Sequence, residues 1–509
     1  MPDCCNNNFT PLENIPSAQI QTDCQRTKQC LFGNADPFTG NGLKDVRVNA
    51  AGTLLELFTS TGAAVLLGTR YKFVAQTGND ATAVAGDLTK PYLTITAANT
   101  AAVSGDTVMI FGKTTAYNES ITIKDGVTYL AMGRVNIKYD PVVADDLATI
   151  KHGGVLVKSA FIGKFIIERG LPATTFHTVN LGIAGSDVTF SPECEIYAPA
   201  KASCKALVFD QAKVSGGRYF SSAPSAHAVD ISTNGIFENF YAFSSSASEA
   251  IIATLNATIR FGIAEATGSF GMSADSCTIY KVRASSTSNE GASITGTSAV
   301  QILDSFSSGL GGIRIADSTK ISVSSSRSSV NVGMTTIGNV TVEECNIQSD
   351  TSFGMSANPS IGTQKIRNCN IRGNSYGVFV SGSGIIRLEE NNVTGESLPA
   401  LHAANLGTLK IGVFGGNYNC ELDAAGGHSI ELDDNGVNVL DPFHARIVNA
   451  NLTCKNAGAN SINETGGFTI DAAYIGNNMS NGVHANIVQI ATIAESAQGN
   501  IVTEPKIRL

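Results

Sequence analysis

The 509-residue sequence contains no tryptophan, and aromatic residues make up only 7% of it. Exposed aromatic plates are the usual advertisement of a carbohydrate cleft, so no deep sugar-binding groove is expected. Charged residues are also scarce, at 15% against the ~25% of ordinary soluble domains. The net charge is −9 and lysine and arginine form no cluster, which excludes nucleic acid from the expected partners. No run of 18 apolar residues occurs, so no membrane span is expected. The opening residues, Met1 to Asn8, lack the basic-then-apolar order of a secretory leader. Nothing resembles a nucleophile elbow or a phosphate loop.

What the chain has instead is glycine, 51 residues of it, with abundant Ser, Thr, Ala and Asn. From about residue 228 to 395 one short phrase recurs, a Gly or Ala followed by alternating apolar residues. It begins at Ala250, Gly271, Gly291, Gly312, Gly333, Gly354 and Gly377, giving steps of 21, 20, 21, 21, 21 and 23. A second phrase keeps pace half a coil away: Val342-Glu343-Glu344-Cys345-Asn346-Ile347, Ile366-Arg367-Asn368-Cys369-Asn370-Ile371 and Leu388-Glu389-Glu390-Asn391-Asn392-Val393, with steps of 24 and 22. Short strands at a fixed period of this size, with no helical pattern between them, predict a stacked β-solenoid. Stacking would put the asparagines on one another at ~4.8 Å, close enough to bond along the stack.

Taken in order, residues 1–70 form a polar, Asn/Pro/Gly-punctuated segment ending in a small β unit around Val46-Arg47-Val48 and Leu54 to Phe58. From Tyr71 to Gly133, a strand (Tyr71-Lys72-Phe73-Val74), a turn (Thr77 to Asp80), a short helix with Ile95, Ala98 and Ala102 on one side, and strands at Gly105 to Ile110 and Gly126 to Leu130 follow. This stretch resembles the opening of pectate-lyase-like right-handed parallel β-helix proteins, in which a small helix plugs the end of the stack. The resemblance implies an all-β parallel β-helix over 134–493, with cap and first coils at 71–133 and a tail at 494–509. A loop is expected near Asp433-Asp434-Asn435-Gly436, where one coil is too long.

Candidate chemistry is sparse. Enzymes on this scaffold commonly act on polysaccharides, and hydrolysis needs two carboxylates at set separations. Glu343 and Glu389 sit two coils apart in one column, about 9–10 Å from each other at the strand spacing, with Arg367 between them. One reading is a catalytic pair with a sugar-binding arginine; the other is an alternating-charge ladder, which the parallel trio Glu344, Asn368 and Glu390 favours. Asp304, Asp317 and Asp350 fall near turns, where Asp bonds backbone. Of eleven cysteines, Cys4, Cys5, Cys24 and Cys30 crowd the start without zinc-ligand spacing, and the other seven occupy strand-like positions as packed thiols. His402, His428 and His484 lie beside strands with no Ser or Cys motif. Phe240 and Phe243 are assigned to the core. Neither metal nor cofactor is expected.

An irregular start, a plug and a long low-charge β-helix together resemble a bacteriophage tail spike or virion fibre. That resemblance implies attachment to other virion proteins through residues 1–70, a homotrimer packed through outward Ser, Ala and Thr, a host-surface glycan as partner, and release by host lysis. A polysaccharide depolymerase and a cellular adhesion β-helix are the rival readings.

Overall fold

The computed structural model describes residues 68–484 apart from short internal stretches, and beyond them only the backbone of strands Leu43–Val48, Leu55–Thr59 and Ile501–Val502. The chain winds as a right-handed parallel β-solenoid. Each coil lays strands on up to three faces. Face A is a 16-stranded sheet running from Ile121–Thr122 to Val483–His484. Face B starts at Tyr71–Val74 and ends at Ile470–Ile475, and face C follows it around a corner. Faces B and C merge into one 28-stranded sheet because long strands such as Thr258–Ala266, Thr278–Ser286 and Ala299–Ser307 bend across that corner. The N-terminal pair Leu43–Val48 and Leu55–Thr59 is antiparallel.

One residue per coil makes the B-to-C corner possible. Asn239, Phe261, Lys281, Ile302, Val323, Glu344, Asn368, Glu390 and Asn449 all have φ between 46° and 57°, and the flanking registers stack them in a single column. Left-handed backbone suits Gly or Asn; β-branched side chains pay for it in steric strain. Glu344 and Glu390, read from the sequence as charge-ladder members, owe their place to this corner.

Just inside the corner, polar side chains answer the backbone amides that the bend exposes. Asn391 accepts from the Cys369 amide at 2.9 Å and donates to the Ile366 carbonyl at 2.9 Å; Asn477 does the same for Ala450 and Ile447. Cys345 and Cys369 are stacked in this column, and Cys420 lies beneath Cys454 further along. All seven described cysteines are buried thiols. Burial pushes the Cys194 and Cys277 thiols up, away from reactive thiolate character. On the outer surface the asparagine column forms as expected: Asn370 donates to Asn346 and Asn392 to Asn370, each at 3.1 Å, and Asn451 to Asn417 at 2.9 Å.

The recurring glycines sit where face C turns into face A. A Cβ on Gly312 would come 2.3 Å from the Gly333 carbonyl oxygen, and one on Gly333 would meet Gly354 at 2.5 Å, so the coils close only around a missing side chain. The interior is otherwise filled by columns. Tyr129, Phe161 and Phe190 stack at 4.6 and 5.1 Å in the first coils; a neighbouring column runs Val188, Val214, Phe237, Ile259, Ile279, Val300, Ile321, Val342, Ile366, Leu388 and Val413. Helix α1 (Ile95–Ala101) closes the N-terminal end, capped by Thr94 and packed through Ile95 and Ala98. Glu119 accepts from the Ile95 and Thr96 amides at 2.9 and 2.6 Å, satisfying first-turn donors.

Two expectations are corrected. Phe240 is buried, but Phe243 faces outward and is only half-buried. Serines expected outside line the interior: Ser286, Ser307, Ser328 and Ser349 form a buried column. The hydroxyls of Ser286, Ser307 and Ser349 donate to the turn carbonyls of Ser269, Asn289 and Asn331. Residues 1–67 of the segment expected to serve attachment, with Cys4, Cys5, Cys24 and Cys30, lie outside the described side chains, as do the loop beyond Asp433 and the 494–509 tail.

Val323 is exposed with φ 46°. Replacing it by Asn should remove part of a strain of about 1–2 kcal/mol and raise the unfolding midpoint in a urea titration. A lowered midpoint would show that the corner gains nothing from a left-handed residue.

Candidate functional site

Each outer face displays a different chemistry. On face B charge is paired throughout the column that holds the sequence candidates. Glu343 lies between Arg367, at 2.7 Å, and Lys320, at 3.2 Å; Glu389 pairs with Lys365 at 3.1 Å. Register confirms the order Ser322, Glu343, Arg367, Glu389 in successive coils. Partial burial disfavours the charge on Glu343, but Arg367 and Lys320 outweigh it and hold the carboxyl below its usual range. Glu238 is clamped in the same manner by Lys213 at 2.8 Å and Arg260 at 2.6 Å. Asp350 takes Arg327 at 2.9 Å, and Asp304 receives the Ser325 hydroxyl.

Face A collects the imidazoles. Four consecutive coils bring together the segments His177-Thr178-Val179-Asn180, Lys205-Ala206-Leu207-Val208, His227-Ala228-Val229-Asp230 and Glu249-Ala250-Ile251-Ile252, paired in register through Val179, Leu207, Val229 and Ile251. His177, Lys205, His227 and Glu249 therefore share one column at the edge of the face, with Asp230 beside it. His227 Nδ1 is buried 3.0 Å from Glu249 Oε2, leaving Nε2 as the nitrogen able to meet a substrate. The adjacent imidazole holds the Glu249 carboxyl below the usual value despite burial. Lys205 Nζ is bonded to Asp230 Oδ2, and the Lys205 amide donates to His177 Nδ1 at 3.3 Å. Burial pushes His177 down to about 4, with Lys205 adding to the effect and Asp230 opposing it.

A second imidazole–carboxylate pair lies further along the same face. His402 Nδ1 is 3.7 Å from Glu431 Oε2, one coil above. The rings of Tyr376 and Phe379 stand 4.8 and 5.4 Å away. Burial lowers His402 and, with Asp433 adding to it, raises Glu431. Both His402 nitrogens are sealed from solvent without a hydrogen bond, whereas of the two His227 nitrogens only Nδ1 is sealed in this way. Among the described residues no cluster of three or more His, Cys, Asp or Glu could hold a metal ion, and no helix is long and apolar enough to cross a membrane.

Sequence reasoning named Glu343, Glu389 and Arg367 and passed over His177, Lys205, His227, Asp230 and Glu249. The structure brings each set together, the first with its charges neutralised and the second as an imidazole–carboxylate pair beside a lysine–aspartate pair. The missed signal was vertical: His or Lys or Glu, two positions before a buried aliphatic residue, one coil apart.

A buried neutral His177 makes stability depend on pH in a defined direction. Its folded value, about 4, lies below the ordinary 6.5, so its contribution is complete above pH 6.5 and lost as pH falls toward 4. Thermal melts of the wild type should fall through that window, and His177→Asn should flatten the fall. An unchanged slope would mean other groups dominate.

No family model and no curated protein matches the chain. Solved structures similar to it include two from Azotobacter vinelandii. The A-module of mannuronan C-5 epimerase AlgE4 is 11% identical, covers 75% of this chain and 89% of that one, and has a TM-score of 0.27. The A-module of mannuronan C-5 epimerase AlgE6 is 12% identical, covers 81% and 95%, and has a TM-score of 0.26.

Proposed function

We propose that the protein acts on a polysaccharide laid along face A, by proton transfer through His227. The observation that carries this reading is the His227–Glu249 contact, 3.0 Å long, beside the Lys205–Asp230 pair on one face. Small ligands need concave pockets; a sheet of 16 parallel strands, roughly 70 Å long at the strand spacing, suits an extended polymer. In this arrangement Glu249 orients the imidazole, His227 Nε2 takes or gives the proton, and the Lys205 ammonium, fixed by Asp230, meets an oxygen that gains negative charge. Hydrolysis through Glu343 and Glu389 would need one carboxyl protonated near neutrality. Arg367 and Lys320 oppose that on Glu343.

A second reading is recognition without turnover, as in a trimeric virion spike held by residues 1–70 and meeting a host glycan. Its support is the exposed amide ladder of Asn346, Asn370, Asn392, Asn417 and Asn451 on face C, a regular column of side chains that do not themselves titrate.

Incubating the full chain with capsular and uronate polymers and counting new chain ends separates the readings. His227→Gln should cut turnover by about 100-fold or more, while Glu343→Gln and Glu389→Gln leave it within about twofold. The reverse ranking would move the chemistry to face B. Binding with no new ends, together with a threefold-protomer mass in sedimentation, would establish the spike reading.

A further inference from the structure

We propose that face C carries a separate glycan-binding platform, built from Tyr197, Phe220, Tyr241 and Phe243 on three consecutive coils, that takes neutral or amino sugars rather than polyuronates. Register places Tyr197, Phe220 and Phe243 in one outward column and Glu195, Arg218 and Tyr241 in the next. Tyr197 and Phe220 stack at 4.9 Å with an 18° tilt, and Phe220 meets Tyr241 at 5.9 Å. All four rings are half-buried, turned away from a core that elsewhere takes Tyr129, Phe161, Phe190 and Tyr219 completely. Rings that served packing alone would gain more by facing inward.

The polar groups around these rings supply what a sugar also needs. Tyr197 Oη donates to Glu195 Oε2 at 2.9 Å and Tyr241 Oη to Glu265 Oε2 at 2.8 Å, which fixes the tilt of both rings. Arg218 lies 5.3 Å from the Phe220 ring and 5.4 Å from the Tyr241 ring, with Nη1 3.1 Å from Glu195. Its exposed guanidinium therefore presents donors at the edge of an apolar plate. Apolar faces against ring C–H groups, with charged acceptors and donors at the margin, are the two halves of saccharide recognition. The coil spacing of ~4.8 Å is close to the length of one pyranose residue in an extended chain, so rings on successive coils meet successive sugars.

Charge selects the class. Glu195, Glu265 and Glu168, which stacks directly under Tyr197, outnumber Arg218. A polyanion would be repelled and a neutral or amino sugar admitted. The platform lies on a different face from His227, and its binding does not depend on turnover there.

Affinity electrophoresis of the full chain tests this, with gels containing a neutral β-glucan, a neutral mannan, an amino-sugar oligomer or polygalacturonate. Retardation by a neutral or amino-sugar ligand is expected, weakened about tenfold or more in Phe220→Ala and Tyr241→Ala, with His227-dependent turnover of short substrates unchanged. Phe220→Leu, which keeps apolar volume without a π face, should lose affinity as well, and it covers the case in which Phe220→Ala fails to fold. No retardation by the neutral or amino ligands, undiminished retardation of the variants, or retardation by polygalacturonate that Phe220→Ala weakens to the same degree would overturn the proposal. So would a Phe220-dependent dimer in sedimentation, since a second copy would then be the occupant.

Discussion

The turn from face B to face C is the constraint on which the rest of the molecule depends. One left-handed residue per coil sends the chain around the corner, and parallel hydrogen bonding then admits only one vertical neighbour for each position. A side chain's partners are set by what lies one coil above and below, not by what adjoins it in sequence. Hence Ile302 and Val323 tolerate φ of 57° and 46°: shifting one coil out of phase would break the ladders on both adjoining faces, a larger loss than the strain of a β-branched residue.

Register also divides the surface into three chemistries. Face B neutralises itself, since Glu238 and Glu343 each lie between two cations. Face C carries an amide column flanked by the Arg327–Asp350 and Arg372–Glu396 pairs in its later coils and aromatic rings in its earlier ones. Face A is left with imidazoles and carboxylates whose protonation is altered by burial, the usual location of acid–base chemistry. His227 and His402 show how finely this is drawn. Each has a carboxylate at Nδ1, but the second nitrogen is sealed without a partner only in His402.

The winding could be read from the sequence because Gly271, Gly291, Gly312, Gly333, Gly354 and Gly377 must be small for the coils to approach, and that requirement repeats every coil. The asparagine column was legible for a similar reason. The candidate site was not. His177, Lys205 and His227 lie in earlier coils where the spacing wanders between 22 and 28 residues, and each partner is a coil away. Phe243 escaped because the usual guide, large apolar residues inside, reverses over part of face C. There Ala242, Ala264, Ala284, Ser305 and Ser326 fill the buried column. In the run Tyr241-Ala242-Phe243-Ser244 the small residues are the core and the large ones the surface. Alternation gives two phases, and hydrophobicity alone chose the wrong one for Phe243.

The most direct test of the register is a disulfide between surface positions that stack. Asn346 and Asn370 are vertical partners, and parallel neighbours at ~4.8 Å fall within the Cα separation that a disulfide spans. The double variant Asn346→Cys with Asn370→Cys should close a bridge under mild oxidation, read by peptide mass, while Asn346→Cys with Arg372→Cys should not. A bridge in the second pair and none in the first would mean that the coils stack in a different phase, and the neighbours assigned to every functional group here would change with it.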